Sequence, residues 1–200
     1  MPDLDHDWDL RLLDRLRCGD GAAFLEIYQR HKEGIFRFVY RLLGSLEKAE
    51  DVTQECFISL MRSPARFDSR RASLRTYLYS AARNLAFKQF RDRGSEVPLE
   101  GRNNGGDSPS SSGPLHALLA EELSAEVQKA IAGLAPLQRE AVVLFEYEGQ
   151  SLAEIAAIAG TDVGTVKSRL YRARERLRRD LAPYLNGSNC ESRQESDHER

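Results

Sequence analysis

The feature that most constrains this chain is a stretch from Gly94 to Pro114 that lacks the composition of a folded segment. Of its 21 residues, 16 are Gly, Ser, Pro, Asn or Asp, and no hydrophobic periodicity runs through it. Such a composition is typical of a flexible linker rather than of a helix or strand. The linker leaves about 70 residues before it and about 65 after it, so each folded part is small and only marginally stable alone.

On both sides of the linker, apolar residues recur at the three- and four-residue spacing of helices, and no segment alternates as a strand does. We therefore predict an all-α chain of two small helical domains, an N-terminal helical bundle and a C-terminal helix-turn-helix domain, joined by the flexible linker. The predicted helices span about residues 7–18, 20–43, 47–61, 74–92, 115–131 and 136–148, followed by the helix-turn-helix. In the first helix, the residues predicted to point inward are Trp8, Leu12, Leu13 and Leu16.

The stretch from Ser151 to Arg179 has the signals of a helix-turn-helix. Ser151 followed by Glu154 is a capping box, which marks the start of a helix. Gly160 suits the positive φ that ends this short helix, and Thr161 is placed to cap the next one. The predicted buried stripe of the second helix consists of Val163, Val166, Leu170, Ala173 and Leu177.

The side chains beside that stripe favour contact with nucleic acid. Residues 161–180 hold seven Lys or Arg against three Asp or Glu, and two short helices around a tight turn suit reading of the DNA major groove. The residues left free to face a groove or its phosphates are Thr165, Lys167, Ser168, Arg169, Arg172 and Arg176. The alternative is an ordinary helical hairpin with a solvated basic face, but the basic excess and the small Gly164 favour DNA binding.

A second basic block precedes the linker. Residues 62–93 carry nine basic and two acidic groups, in a chain whose formal net charge is only −2. Arginines alternate there with Phe67 and Tyr77, a pattern suited to single-stranded nucleic acid, whose bases stack on aromatic rings while guanidinium groups hold the backbone. The residues alone leave a second interpretation equally open, in which both rings form the rim of a core and the arginines serve solubility.

Other classes of function find little support. Cys18, Cys56 and Cys190 are scattered and the four His are dispersed, so we expect no metal and no cofactor. The longest apolar run is about five residues, far short of the ~20 of a membrane span. The acidic N-terminus lacks a signal-peptide core, so we expect a cytoplasmic protein. We predict no enzyme, because no Ser/His/Asp set, phosphate-binding glycine loop or paired acid–base carboxylates stand out.

Three stretches stand out together: AEDVTQECFISL at 49–60, RTYLYSAARNLAFKQFRDR at 75–93 and SLAEIAAIAGTDVGTVKSRLYRARERLR at 151–178. In this order they resemble the extracytoplasmic-function group of sigma factors, which direct bacterial RNA polymerase to promoters. The resemblance implies an N-terminal extension at 1–19, sigma region 2 at 20–93, a linker at 94–117, sigma region 4 at 118–182 and a disordered acidic tail at 183–200. The partners it implies are core RNA polymerase, through its β′ and β subunits, promoter DNA and an anti-sigma factor.

The resemblance also implies roles for particular residues. The residues that match the polymerase-binding region are Asp51, Gln54, Glu55 and Phe57. Those that match the surface reading the −10 element and holding the opened strand are Phe67, Tyr77, Arg83, Asn84 and Lys88. Those that match the recognition helix for the −35 element are Thr165, Lys167, Ser168, Arg169, Tyr171 and Arg172. Tyr77 stands where the family commonly has Trp, so the ring available for strand opening is smaller.

Two alternatives compete with the sigma-factor interpretation. A stand-alone DNA-binding regulator explains residues 151–180 equally well, but leaves the basic block and the acidic face of Asp51 and Glu55 without a role. An RNA-binding helical protein accounts for still less of the pattern. We also hypothesise that, in the free chain, the linker lets the two domains pack together and mask both DNA-binding faces.

Overall fold

The computed structural model describes residues 2–92 and 125–187, and every regular element in them is helical. The helices are α1 (Pro2–Arg17), α2 (Gly21–Leu43), α3 (Leu46–Arg62), α4 (Leu74–Asp92), α5 (Ala125–Ala132), α6 (Pro136–Val142), α7 (Leu152–Ala159) and α8 (Val163–Gly187). A 3₁₀ turn at Pro64–Arg66 precedes α4, and α6 continues as a π-helical segment at Val143–Tyr147. The predicted all-α fold class is confirmed.

The N-terminal bundle is built around α2, which packs against α1, α3 and α4. Asp20 caps α2, because its Oδ1 accepts a hydrogen bond from the backbone N–H of Ala22 at 2.9 Å. Gly44 ends the helix with φ of 69°, a left-handed conformation that glycine adopts without a steric cost. Ser45 and Ser73 then cap α3 and α4, so the chain reverses at the positions that the sequence signals.

The bundle's core contains the apolar stripes that helical spacing predicts, with one exception. The largest fully buried side chains of this half are Leu12, Leu13, Ile27, Ile35, Phe38, Leu42, Phe57, Leu60, Leu74 and Leu78. Trp8 was predicted to point inward and is instead 44% exposed. Its indole Nε1 donates a hydrogen bond to Glu26 Oε1 at 2.9 Å, so the polar edge of the ring stays at the surface.

The C-terminal domain places α7 and α8 as the predicted helix-turn-helix. The capping box of Ser151 and Glu154 forms, and Gly160 turns the chain with φ of 63°. Asp162 rather than Thr161 caps α8, because its Oδ1 accepts from the backbone N–H of Thr165 at 2.8 Å. Val163 is consequently the first residue of the helix and is partly exposed, whereas the rest of the predicted stripe packs inward.

The ends of the C-terminal domain depart from the predicted boundaries. Helix α8 continues through Pro183 to Gly187, although the disordered tail was expected to begin at residue 183. A proline within a helix removes one backbone donor but does not end this one. The remaining tail, the linker at 94–117 and the first part of the helix expected at 115–131 lie outside the described residues.

The two domains pack against each other around one continuous apolar core. Helix α4 lies along α7, and α2 contacts α6 and its π-helical continuation. The helix that matches the −10 surface therefore lies directly beside the first helix of the helix-turn-helix.

Candidate DNA- and polymerase-binding surfaces

The first predicted surface is the outer face of α3. Asp51, Gln54 and Glu55 are all exposed and lie within one turn of each other, so they form a compact acidic and amide patch. Met61 is also exposed and lies two turns beyond Gln54, which puts an apolar side chain on the same face. The seven-residue spacing from Gln54 was the signal for Met61, which sequence reasoning missed.

Phe57 does not lie on that face. Its side chain is 1% exposed, and its ring meets the edge of the Tyr28 ring with centroids 5.0 Å apart. The burial is explained by position, since Phe57 follows Cys56 and precedes Leu60 by three residues, and both of those are buried. In this conformation Phe57 supports the acidic patch from inside and presents no surface to a partner.

The second predicted surface divides into exposed and buried parts. Tyr77, Asn84 and Lys88 share one face of α4, where Asn84 and Lys88 are exposed and Tyr77 is partly buried. Phe67 is 2% exposed and contacts the Tyr77 ring edge to face, with centroids 5.5 Å apart. Arg17 fixes the loop by donating to the Phe67 carbonyl oxygen at 3.0 Å. The Phe67 ring thus lies inside the core, Tyr77 lies at the rim of the core, and only part of Tyr77 is open to a base.

Arg83 is directed toward the C-terminal domain, and its Nη1 also donates to Asn84 Oδ1 at 3.3 Å. Its Nε donates to Glu140 Oε1 of the C-terminal domain, and its guanidinium carbon lies 4.6 Å from the centroid of the Phe87 ring. The Arg83 side chain is mostly buried as a result. Of the residues predicted to hold the −10 strand, Arg83 is therefore the one that the C-terminal domain occupies.

The third predicted surface is the exposed face of α8. Lys167, Ser168, Tyr171 and Arg172 share this face, and Tyr171 is 69% exposed. The opposite face of α8 is hydrophobic and buries Val166, Leu170 and Ala173 in the core. This burial fixes the direction in which the exposed side chains point. A tyrosine this exposed beside basic groups is suited to contact with bases or the DNA backbone.

Two hydroxyls of α8 already have partners inside the helix. The Thr165 Oγ1 donates to Asp162 Oδ2 at 2.6 Å, and the Ser168 Oγ donates to the Gly164 carbonyl oxygen at 3.0 Å. A Cβ at Gly164 would lie 2.9 Å from Asp162 Oδ1, so the absence of a side chain there leaves room for the cap. Thr165 thus stabilises the first turn of the helix, while Ser168 remains at the surface.

Arg169 is turned away from the exposed face toward the protein. Its Nη1 lies 3.9 Å from Glu140 Oε2, and its side chain is mostly buried. Glu140 is thus placed between an arginine of the −10 surface and an arginine of the −35 surface. Sequence reasoning missed Glu140, since no local pattern shows which distant cations a buried carboxylate will meet.

In the described ranges, 2–92 and 125–187, no group of three or more His, Cys, Asp or Glu side chains is placed to hold a metal ion. Within the same residues, no helix is both long enough and apolar enough to cross a membrane.

Comparison with protein families and curated proteins agrees with the geometry. Residues 27–96 match the family described as Sigma-70 region 2, and residues 124–177 match the one described as Sigma-70, region 4. The ECF RNA polymerase sigma factor SigW of Bacillus subtilis is 33% identical over 177 residues, which cover 84% of this chain and 94% of that protein. The ECF RNA polymerase sigma-E factor of Escherichia coli K12 is 34% identical over 187 residues, covering 88% and 96%.

Solved structures show the same arrangement of helices. The sigma factor RpoE of Bartonella quintana, solved with the anti-sigma factor NepR, is 29% identical with a TM-score of 0.62, and the match covers 80% of this chain and 96% of that one. CnrH, solved with the cytosolic domain of CnrY, has a TM-score of 0.67 at 23% identity, over 88% and 98% of the chains, and supports the fold alone. With both family regions matched in order and these relatives similar over most of their length, the chain belongs to the extracytoplasmic-function group of the sigma-70 family of RNA polymerase sigma factors.

Proposed function

We propose that this chain binds core RNA polymerase and directs initiation at promoters whose −10 and −35 elements it recognises through its two domains. The observation that carries this proposal is the presence of regions 2 and 4 in one chain, at residues 27–96 and 124–177, each with an exposed surface suited to its role. We further propose that the protein acts by recruitment, without enzymatic chemistry of its own, and works in the cytoplasm.

The exposed face of α8 suits the −35 element. Lys167 and Arg172 are the cations on this face, and Arg or Lys can donate to the O6 and N7 atoms of guanine in the major groove. A good contact of this kind contributes about 1–3 kcal/mol of discrimination against the wrong base. The exposed Tyr171 lies between them and adds a ring for contact with thymine methyls or the backbone.

The face of α4 with Asn84 and Lys88 suits the −10 element. Asn84 has an amide donor for a base edge, while its Oδ1 accepts from Arg83 in this structure, and Lys88 lies one turn away for a phosphate. Capture of a flipped base has to offset an unstacking cost of a few kcal/mol, which the exposed part of Tyr77 helps to meet by stacking. Arg83 joins this surface once its contact with Glu140 is broken.

The α3 patch suits a basic helical partner, which we propose to be the β′ subunit of core polymerase. Asp51, Gln54 and Glu55 offer acceptors, and Met61 offers an adaptable apolar contact on the same face. Each DNA-binding surface is weak alone. When polymerase holds both domains, their effective concentrations rise and the two DNA contacts reinforce each other.

We also propose that an anti-sigma factor controls the chain. The support is the similarity to the Bartonella quintana sigma factor RpoE, whose structure was solved in complex with the anti-sigma factor NepR. Co-purification of this chain from its own host, followed by identification of any protein retained in equal amount, tests this part. Recovery of the chain with core polymerase alone would count against it.

The decisive experiment is in-vitro transcription with purified core polymerase and fragmented genomic DNA, with and without the chain. Discrete start sites that appear only with the chain support the proposal, and their upstream sequences define its promoter. A variant with Asp51→Ala and Gln54→Ala should lose these starts, while Glu33→Ala, which removes an exposed carboxylate from α2, should retain them.

The second candidate function is that of a stand-alone DNA-binding regulator, since such a protein needs only the helix-turn-helix. Absence of new starts, together with sequence-specific binding of duplex DNA by the chain without polymerase, would replace the sigma-factor proposal by this one.

A further inference from the structure

Helix α1 lies before the part of the chain that matches Sigma-70 region 2, which begins at residue 27, and the proposed function gives this helix no role. The helix is nevertheless firmly fixed on the bundle, because Leu12, Leu13 and Leu16 are buried in its core. Near the start of α1, Asp9 is 5% exposed and lies 3.2 Å from His31 Nε2 of α2. The last turn of α1 therefore has a defined position from which it can act on a neighbouring segment.

That neighbouring segment is the α3–α4 loop, residues 63–73, which contains the 3₁₀ turn at Pro64–Arg66. Arg17 is the last residue of α1, and its Nη2 donates to the carbonyl oxygen of Phe67, 50 residues away, at 3.0 Å. The Nη1 of the same guanidinium donates to Asp14 Oδ1 at 3.0 Å. Because a guanidinium is planar and rigid, the bond to Asp14 orients the group that holds the loop.

Phe67 determines the direction in which the loop leaves the bundle. Its ring is buried against the edge of Tyr77, which fixes the side chain and the Cα atom. The backbone angle ψ of Phe67 is 126°, and rotation about this angle would move the carbonyl oxygen together with the residues that follow. Since the peptide unit is planar, a hydrogen bond that holds the carbonyl oxygen also sets the position of Asp68. The contact from Arg17 therefore orients the second half of the loop.

The tip of the loop, residues 68–71, is shaped by hydrogen bonds between close neighbours. Asp68 Oδ1 accepts from the backbone N–H of Arg70 at 3.0 Å, and the Asp68 carbonyl oxygen accepts from the N–H of Arg71 at 3.1 Å. These bonds define a turn, but they do not attach the turn to the bundle. All four residues of the tip are exposed, and two of them are cations. The tip follows directly on Phe67, whose ring contacts Tyr77 of the predicted −10 surface.

We propose that Arg17 is a positioning residue for the reading of the −10 element, because its hydrogen bond to the Phe67 carbonyl oxygen holds the α3–α4 loop in the orientation that receives a flipped base. This inference rests on the proposed function and deepens it, since it concerns the same −10 surface. Arg17 acts through the loop and does not itself touch DNA. Helix α1 thereby contributes to promoter selectivity, although it lies outside the matched region.

The contacts of Arg17 are better suited to orienting the loop than to stabilising the fold. The side chains of Arg17 and Asp14 are 39% and 74% exposed. Exposed ion pairs contribute little to folding, because water and salt screen the charges and two long side chains lose rotamer freedom. The leucines of α1 bury the helix without help from the guanidinium. Loss of Arg17 should therefore release the loop while the bundle stays folded.

The test uses the full chain with Arg17→Met, which keeps an unbranched apolar stem and removes every donor. Arg17→Lys is the second variant, because it keeps one cationic donor that can reach the Phe67 carbonyl oxygen but lacks the planar fork. Arg11→Met is the matched control, since it is the same change at an exposed arginine of the same helix. In all three variants the midpoint of thermal unfolding should fall by no more than about 2–4 °C, as expected for an exposed contact in a small domain.

The first measurement is hydrogen exchange of the amides at residues 66–71 in the free chain, without polymerase. Arg17→Met should exchange them about 5-fold faster, the factor that corresponds to the net free energy of one hydrogen bond, and Arg17→Lys should lie between.

The second measurement is in-vitro transcription with core polymerase from a promoter that the chain uses and from templates with single-base changes in either element. Arg17→Met should reduce discrimination about 5-fold at one position of the −10 element and leave discrimination at the −35 element unchanged. Arg17→Lys should restore part of the loss, and Arg11→Met should match the original chain in both measurements.

Faster loop exchange together with reduced discrimination at the −10 element alone supports the proposal. Unchanged exchange in Arg17→Met overturns it, and so does faster exchange with unchanged discrimination, because the loop would then take no part in reading. An equal loss on all templates, with the salt slope of promoter binding reduced by about 0.9, would instead make Arg17 a direct phosphate contact. If the original chain gives no starts on any template, the proposed function fails, whereas the exchange measurement still shows separately whether Arg17 holds the loop.

Discussion

The two domains differ in how they satisfy their buried polar groups. In the N-terminal bundle the partners are local: Asp9 lies 3.2 Å from His31 Nε2, and the Thr53 hydroxyl donates to the Ala49 carbonyl oxygen at 2.6 Å. In the C-terminal domain, buried Glu140 and Glu148 contact cations or donors of the other domain, although Glu140 also lies near Arg169 of its own domain. Asp9 and Thr53 are thus satisfied within the bundle, whereas Glu140 and Glu148, together with Arg83, Arg41 and Tyr79 of the bundle, depend on contact between the domains.

This difference separates stability from regulation. A group that is satisfied within its own domain contributes to folding, and its loss exposes or unpairs polar atoms in every state of the chain. A group that is satisfied across a domain boundary contributes only to the closed state, because it is hydrated when the domains part. Substitutions in the two domains should accordingly affect different measurements.

The largest effect is expected in the core of the bundle. Phe57→Ala removes a buried ring and should lower the free energy of unfolding by about 3–5 kcal/mol, through lost burial and a cavity. Urea unfolding of the full chain measures this. Cys56 supplies a second measurement, since burial raises the pKa of its thiol to about 12 and a thiol reagent should reach it only when the bundle opens.

Leu25→Ala is the control for Phe57→Ala, because Leu25 is exposed and its loss should change stability by no more than about 0.5 kcal/mol. If Phe57→Ala left stability unchanged but abolished polymerase binding, the ring would be a direct polymerase contact, and the contrast between the two domains would weaken.

The next effect concerns the two DNA-binding faces. Arg172→Ala should cost about 1–3 kcal/mol of discrimination at one position of the −35 element, because a base contact is lost. Asn84→Ala should instead reduce discrimination at the −10 element. Transcription from templates with single-base changes in each element separates the two, and Lys129→Ala, an exposed cation on α5, serves as the control. Equal loss at both elements with either variant would contradict separate roles for the domains.

A smaller effect is expected at the capping box of the helix-turn-helix. Ser151→Ala removes the hydroxyl that accepts from the Glu154 N–H at 3.2 Å and should cost about 1 kcal/mol. Thermal unfolding and hydrogen exchange of the α7 amides measure it, and Ser151→Asp should restore most of the loss. Exchange that increases equally in the N-terminal bundle would mean that the two domains unfold as one unit.

The smallest effect is a pH dependence confined to the start of α8. Hydrogen bonds from the Thr165 hydroxyl and N–H lower the pKa of Asp162 below its usual value. Its stabilising effect is therefore present above the usual aspartate pKa and is lost as pH falls through the lowered pKa. Hydrogen exchange of α8 between about pH 5 and pH 2 should show this loss, and Asp162→Asn should remove it while keeping a capping side chain. Unchanged pH dependence in Asp162→Asn would assign it to another group.

Short-range sequence signals determined where most of the helices begin and end and which residues form the core. Asp20, Gly44, Ser45 and the pair Ser151–Glu154 act on the residues beside them, because caps and left-handed turns depend on hydrogen bonds within a few positions. Helical spacing of apolar residues likewise identified most of the core. The acidic patch on α3 and the basic face of α8 could also be predicted from the sequence, because the residues of each patch recur at helical spacing on a single helix.

Only the tertiary structure decided which side chains of those faces are free. Arg83 and Asn84 are neighbours in the chain, yet Arg83 meets Glu140, 57 residues away, while Asn84 faces outward. Trp8 was expected to be buried and is exposed, whereas Phe57 was expected at a binding surface and is buried. Both differences arise because burial depends on the side chains that other helices place opposite a residue. A long-range electrostatic contact has no characteristic spacing in the sequence, so the contacts of Glu140 and Glu148 with the other domain are seen only in the tertiary structure.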